Sequence, residues 1–155
     1  MLLTTICYID NGDSYLMMLR NKKKQDINEG KWLGVGGKFE PGETPEECVC
    51  REAYEETGLI LDDYKMRGVI TFSPSDGAYE YIYVFTADKF HGELADCNEG
   101  ELAWIPKDKL MDLALWEGDR IFLKLLLDDS PFFSVKLCYD GDILTDSSVK
   151  IYKGE

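Results

Sequence analysis

A chain of 155 residues, 45% hydrophobic, 12% aromatic and 30% charged, is long enough to bury a core of its own and is neither a disordered tail nor a membrane span. Thirty Asp and Glu against seventeen Lys and Arg leave a formal charge of -13, which argues against a protein that holds bulk nucleic acid by neutralising phosphates along its surface. An anionic substrate would then need a cation to mediate its binding. Five cysteines (Cys7, Cys48, Cys50, Cys97 and Cys138) form an odd set without a Cys-x-x-Cys pair, which argues against zinc and for reduced thiols packed as small hydrophobes. Without a basic leader or a membrane-length apolar run, the expectation is a cytoplasmic protein with no membrane partner.

No repeat, low-complexity tract or Pro/Gly/Ser linker divides the sequence, so one domain is expected over residues 1–155. Residues 3–9 and 15–20 are β-prone runs around Asp10-Asn11-Gly12-Asp13 and predict a hairpin. A helix follows, with Thr44 as N-cap, Pro45 at the first helical position, Glu47 completing a capping box and Gly58 as the terminator before a short loop. Residues 67–72 and 79–87 predict a second hairpin around Ser73-Pro-Ser-Asp-Gly77. A second helix is expected over 117–127, where Ile121 and Leu125, and Phe122 and Leu126, recur at helical spacing. Residues 132–139 and 143–151, flanking Asp140-Gly141-Asp142, predict the last hairpin. Strands mixed with two or three helices point to an α/β or α+β sandwich.

On the first helix, Glu52, Glu55 and Glu56 fall within an arc of about 100°, with Val49, Cys50, Ala53 and Thr57 on the neighbouring, core-facing arc. Like charges at this spacing repel, and they lie toward the helix C-terminus, where the dipole also disfavours anions. Two readings stand: a solvated acidic face, or a site for hard divalent ions such as Mg²⁺ and Mn²⁺, which prefer carboxylate oxygens. Gly34-Val-Gly-Gly37 lies just upstream, where glycines allow backbone groups close to a metal or a phosphate, Gly37 among them, and Lys38 follows as a candidate for a phosphate oxygen.

The pattern Gly37-x5-Glu43-x7-Arg51-Glu52-Ala53-x-Glu55-Glu56-x-Gly58-Leu59 resembles the Nudix box, with Ala53 where a larger aliphatic residue is usual. The resemblance implies an α/β fold, a Nudix-type α/β/α sandwich with a mixed β-sheet. It implies that Glu52, Glu55 and Glu56 bind Mg²⁺ or Mn²⁺ with the Gly36 carbonyl as a further ligand, and that Arg51 and Glu43 brace the loop and helix. A later carboxylate is often recruited in the family, and Glu99, with Glu101 close behind, is the candidate here. Glu52 or Glu99 would act as general base, and water attacking the β-phosphorus of a nucleoside triphosphate would give a nucleoside monophosphate and pyrophosphate.

Several stretches beyond the box, among them 28–37, 68–72, 96–100, 116–119 and 131–134, resemble the MutT/MutX-type branch of the family, which hydrolyses oxidised purine nucleotides such as 8-oxo-dGTP. By that analogy Trp116 stacks on the base and Asp119 hydrogen-bonds its edge, whereas on the general frequency of buried aromatics a Trp just before a helix reads as a core or staple residue. Leu33 stands where some relatives carry a base-reading Asn. Lys23, in the basic run Arg20-Asn-Lys-Lys-Lys24, is a candidate for attracting the triphosphate, although such a run is also a common solvated edge. His91 is expected in a loop. The alternatives are a Nudix hydrolase of another diphosphate-linked compound (ADP-ribose, NADH, a dinucleoside polyphosphate or capped RNA) and a catalytically silent nucleotide-binding regulator. Oligomeric state is not legible in the sequence.

Overall fold

The computed structural model describes residues 1–22 and 27–153. β1 (Leu2–Asp10) and β2 (Ser14–Leu19) form the first hairpin, and a two-residue β3 (Trp32–Leu33) follows. Next come α1 (Pro45–Thr57), β4 (Leu59–Pro74), β5 (Glu80–Gly92), β6 (Glu101–Pro106), a 3-10 turn over Lys107–Asp112, α2 (Glu117–Leu127), β7 (Phe133–Asp140) and β8 (Ile143–Ile151).

The strands make one mixed sheet in the order β3-β2-β1-β5-β4-β7-β8, with β6 also paired to β2. β1 runs parallel to β5, and β4 parallel to β7, while the hairpin partners are antiparallel. Because alternate residues of a strand face opposite ways, β1 sends Ile6 and Tyr8 to one side of the sheet and Cys7 and Ile9 to the other. The first side packs against α2 through Phe122, Leu123 and Leu126 and meets Ile70, Val84, Val135 and Leu137. The second packs against α1 through Val49 and Ala53 and meets Leu16, Val35 and Phe85. The result is an α/β/α sandwich.

The first helix begins as the sequence predicts. Thr44 Oγ1 accepts from the Glu47 amide at 3.0 Å, and Glu47 Oε1 accepts from the Thr44 amide at 2.9 Å, satisfying two donors that a helix start otherwise leaves open. It ends at Gly58, which adopts φ 79° and donates to Tyr54; a Cβ there would also meet the Glu93 carbonyl at 2.6 Å.

Four details differ from the sequence reading. No loop follows Gly58, since β4 starts at Leu59 and runs for sixteen residues, with register shifts against β5 that absorb its polar first half. β3, β6 and the 3-10 turn were not anticipated, because each is short and takes its order from pairing with β2 or, for the turn, from contact with β6. Cys48, not Cys50, is the cysteine fully buried under α1. His91 lies in β5 opposite Ile60, with Nδ1 2.8 Å from Asp62 Oδ2 on the surface. All five cysteines are free thiols, and among the described residues no helix is long and apolar enough to cross a membrane.

Candidate active site

The segment after β3 is laced to the edge of β1. Cys7 and Val35 exchange both backbone hydrogen bonds, the Thr5 amide donates to the Gly37 carbonyl at 2.9 Å, and the Phe39 amide donates to Leu3. There is no room for side chains on this path: a Cβ on Gly36 would strike the Thr5 carbonyl, and one on Gly37 would lie 2.6 Å from the Glu52 carboxylate. The carbonyls of Val35 and Gly37 are thus occupied, whereas that of Gly36 takes no hydrogen bond among the described residues.

The three glutamates of α1 are not equivalent. Glu55 is exposed, Glu52 is partly buried and Glu56 is only 7% exposed. Glu56 Oε1 accepts from the Gly36 amide at 2.7 Å, while its Oε2 is buried with no hydrogen-bond partner. Burial above all, with the neighbouring Glu99 and Glu52 carboxylates adding to it, pushes the Glu56 carboxyl up to about 9, against the opposing effect of the Gly36 amide. Burial likewise raises Glu52, despite its contact with Arg51.

Arg51 braces the whole motif. Its Nε donates to Glu43 Oε2 at 2.7 Å and one terminal nitrogen to Glu43 Oε1 at 2.9 Å, a bidentate fork. The same nitrogen reaches the Lys38 carbonyl at 3.0 Å, and the other serves Glu52 Oε1 at 2.9 Å and Glu55 at 3.2 Å. Glu43 is held down to about 2, first by the Arg51 hydrogen bonds and then by the Glu40 amide. Arg51 on the helix and Glu43 on the loop before it are thus directly paired.

Glu99 comes from the loop before β6. Its Oε2 lies 3.9 Å from an Arg20 nitrogen, its carbonyl accepts from the Lys22 amide, and its charge raises both Glu52 and Glu56. Glu101 instead accepts from Asn21 Nδ2 at 3.0 Å on the surface, so Glu99 is the acid of this pair that joins the cluster. Lys38 is exposed and gives the site its backbone carbonyl. Lys23 lies outside the described residues. Among those described, no three acidic side chains already converge as a finished ligand shell, in keeping with Arg51 holding Glu52 and Glu55.

Gly36 and Gly37 also border a cavity of about 220 Å³ on the α2 side of the sheet. Its floor is apolar, with Ile6, Ile70, Ile82 and Leu137. Trp116 and Asp119, singled out in the sequence, both line it, and Leu33 lies in its wall. The indole is fixed on three sides: Nε1 donates to Asn28 Oδ1 at 2.8 Å, Tyr139 meets it edge-on at 5.4 Å, and Lys31 Nζ lies 5.5 Å from the ring centroid. Burial pushes Asp119 up to about 7, with Lys31 opposing. Sequence reasoning missed Asn28, Phe72, Glu80 and Tyr139, which lie in loops and strands far apart in the chain and carry no local motif.

A sequence profile of the NUDIX domain matches residues 2–126. The chain belongs to the NUDIX family. Over 94% of its length it is 31% identical to an oxidized purine nucleoside triphosphate hydrolase of Danio rerio, covering 91% of that relative. The Mus musculus protein of the same name is 32% identical over 86% of this chain and 86% of its own. Among solved structures, a MutT protein of Bacillus halodurans superposes with a TM-score of 0.86 at 26% identity, covering 96% of this chain and 97% of that one. These likenesses agree with the mixed-sheet sandwich of this Nudix domain and with the Nudix box on its first helix.

Proposed function

We propose that this Nudix hydrolase converts oxidised purine nucleoside triphosphates such as 8-oxo-dGTP to the monophosphate and pyrophosphate, and that residues 1–155 act as one domain in the cytoplasm. The observation that carries the proposal is the buried, unpartnered Glu56 Oε2, set against Glu99 and Glu52, on a carboxylate whose other oxygen is bonded to Gly36, a residue that also borders the aromatic-walled cavity. A buried acceptor without a donor is costly, and clustered carboxylates raise each other's proton affinity; a hard divalent ion relieves both. The donor set therefore fits Mg²⁺ or Mn²⁺, with Glu52, Glu55, Glu56, Glu99 and the Gly36 carbonyl as the groups that would hold it. The names borne by the Danio rerio and Mus musculus relatives support the substrate class.

When bound, such ions neutralise phosphate oxygens and lower the pKa of water. The chain's own residues do the rest. Trp116 supplies a fixed face for a purine, and Asp119 supplies an acceptor for the base N–H groups. Gly36 and Gly37 let the phosphate chain approach the backbone, with Lys38 and Lys23 as cations for its outer oxygens. Arg51, locked by Glu43, keeps Glu52 and Glu55 from drifting apart. Attack by water at the β-phosphorus releases a proton to a carboxylate of the cluster. Glu52, whose basicity burial raises, and Glu99 are the two acceptors, and Glu52→Gln and Glu99→Gln compared across pH separate them.

The test is a substrate panel with Mg²⁺: 8-oxo-dGTP, dGTP, ADP-ribose and NADH. Turnover of 8-oxo-dGTP at a kcat/KM well above that of the other three is the expected result. Equal or better turnover of ADP-ribose or NADH would replace the sanitising role with hydrolysis of another diphosphate-linked compound. No turnover of any, with nucleotide still bound, would make the protein a silent binder.

A further inference from the structure

The polar lining of the cavity includes two carboxylates, Asp119 and Glu80. Asp119 approaches from the first turn of α2, and Glu80 rises from the sheet at the start of β5, directly across from Phe72 on β4. The other polar groups are largely engaged with one another. Thr4 Oγ1 donates to Glu80 Oε2 at 2.7 Å, Trp116 Nε1 donates to Asn28 Oδ1, and the Tyr139 hydroxyl oxygen accepts from the Gly118 amide at 2.7 Å. Glu80 Oε1 accepts nothing among the described residues. Arg20, a cation of the lining, lies beside Glu99 at the acidic cluster.

Two carboxylates in one base-sized cavity call for two sets of donors on the base. Guanine offers donors on one edge only, at N1 and the 2-amino group; its other edge presents O6 and N7, both acceptors. Oxidation at C8 changes that second edge, because the 8-oxo tautomer carries hydrogen on N7. The first edge is the same in both bases, so an acceptor there, such as Asp119, does not separate them. The second acceptor does. Leu33, being apolar, contributes no hydrogen bond to the choice.

We propose that Glu80 is the specificity-determining residue of this cavity, accepting the N7–H of an 8-oxopurine and repelling the N7 lone pair of an ordinary purine. The proposal rests on the reading of the cavity as the purine site. A site built to receive an N–H discriminates strongly against an analogue that lacks it, since its own buried acceptor is then left unpaired. Thr4 is the positioning residue: it holds Oε2 and leaves Oε1 to accept from the base.

Glu80→Gln tests this with almost no change in size. If Thr4 continues to donate to the side-chain oxygen, the new amide NH2 faces the cavity and a donor replaces the acceptor. The ratio of kcat/KM for 8-oxo-dGTP to that for dGTP should then fall by about 10- to 100-fold, with the dGTP value rising as the 8-oxo-dGTP value drops. Thr4→Val, which frees the carboxylate without neutralising it, should lower the ratio in the same sense by less. The ratio of 8-oxo-GTP to 8-oxo-dGTP should not move in either variant.

Equal losses for dGTP and 8-oxo-dGTP would make Glu80 a packing residue, and a changed preference between ribo- and deoxyribonucleotide would place the sugar against it; either overturns the proposal. A wild-type enzyme that turns over neither guanine nucleotide refutes the purine reading of the cavity itself. Wild-type preference for 8-oxo-dGTP that survives unchanged in Glu80→Gln refutes the role of Glu80 alone.

Discussion

The two faces of the sheet use opposite physics. On the α1 face, charge is concentrated within one contiguous segment, residues 36–56, and its central groups have assigned places: Arg51 at the hub, Glu43 locked to it, Glu56 driven inward against the Gly36 amide. On the α2 face, the cavity is mostly hydrocarbon and ring, and its polar groups come from β1, the segment between β2 and β3, β5, the start of α2 and β7. The first arrangement can hold ions and a phosphate chain for any nucleotide. On the proposed reading, the second decides which nucleotide is held. Substitutions on the α1 face should therefore lower kcat for all substrates alike, and substitutions on the α2 face should change ratios between substrates.

The largest effect belongs to Glu56. Glu56→Gln should lower kcat by about 10²- to 10⁴-fold at saturating Mg²⁺ while leaving KM ratios between nucleotides untouched. Stability should move the other way. The folded carboxyl sits at about 9, far above its ordinary value, so its contribution is intact at low pH and is lost as pH rises from the normal carboxylate range toward 9. Without metal at pH 7, Glu56→Gln should be steadier by about 1–3 kcal/mol in denaturant melts, and its stability should not fall across that interval. Since a cation must displace the Glu56 proton, Mg²⁺ affinity measured by calorimetry should also rise with pH over the same range in the wild type and not in the variant. A variant that is both inactive and less stable at every pH would remove the contrast between the two faces.

Trp116→Ala comes next and should act on the other face. Base stacking on an aromatic ring contributes about 1–3 kcal/mol, so KM for the purine nucleotide should rise by about 5- to 150-fold with kcat little changed. Asp119 sharpens the same point through pH. Its carboxyl lies near 7, so ionisation across neutrality strengthens it as an acceptor for base N–H groups. KM should improve as pH rises through about 7, and Asp119→Asn should flatten that dependence. A KM profile that keeps its inflection in the variant would assign the titration elsewhere.

The contrast between the faces also explains what was legible from sequence. The capping box at Thr44, the stop at Gly58 and the Nudix box are local patterns, and local rules govern them: a cap needs its partner three residues on, and Arg51 reaches Glu52 and Glu55 within its own helix. Hairpin turns at 11–13, 75–79 and 141–142 announce themselves in the same way. The depth of Glu56 does not, because a helical wheel separates faces without saying how far the edge of the sheet overhangs one of them. Nor does Glu80, an ordinary acid at the start of a strand until the parallel pairing of β1 with β5 brings Thr4 beside it and Phe72 arrives from β4. β6 was missed because its pairing is with β2, about ninety residues earlier.

A smaller effect separates support of the motif from its chemistry. Arg51→Lys keeps the positive charge but loses the planar fork that grips Glu43 and reaches Glu52, Glu55 and the Lys38 carbonyl together. Supporting contacts of this kind typically affect metal affinity or activity by about 10- to 100-fold, so kcat at limiting Mg²⁺ should fall within that range and recover in part as Mg²⁺ is raised. Thr44→Ala lies further still from the reacting atoms. It removes one cap hydrogen bond, and its cost should be about 1 kcal/mol of stability with kcat and KM preserved for every nucleotide. Because α1 is also held by Val49 and Ala53 against the sheet, loosening its first turn should not reach Glu52 or Glu56, which lie two turns or more further along. A loss of activity in Thr44→Ala comparable to that in Arg51→Lys would show that the acidic cluster depends on the start of the helix as well as on the arginine hub.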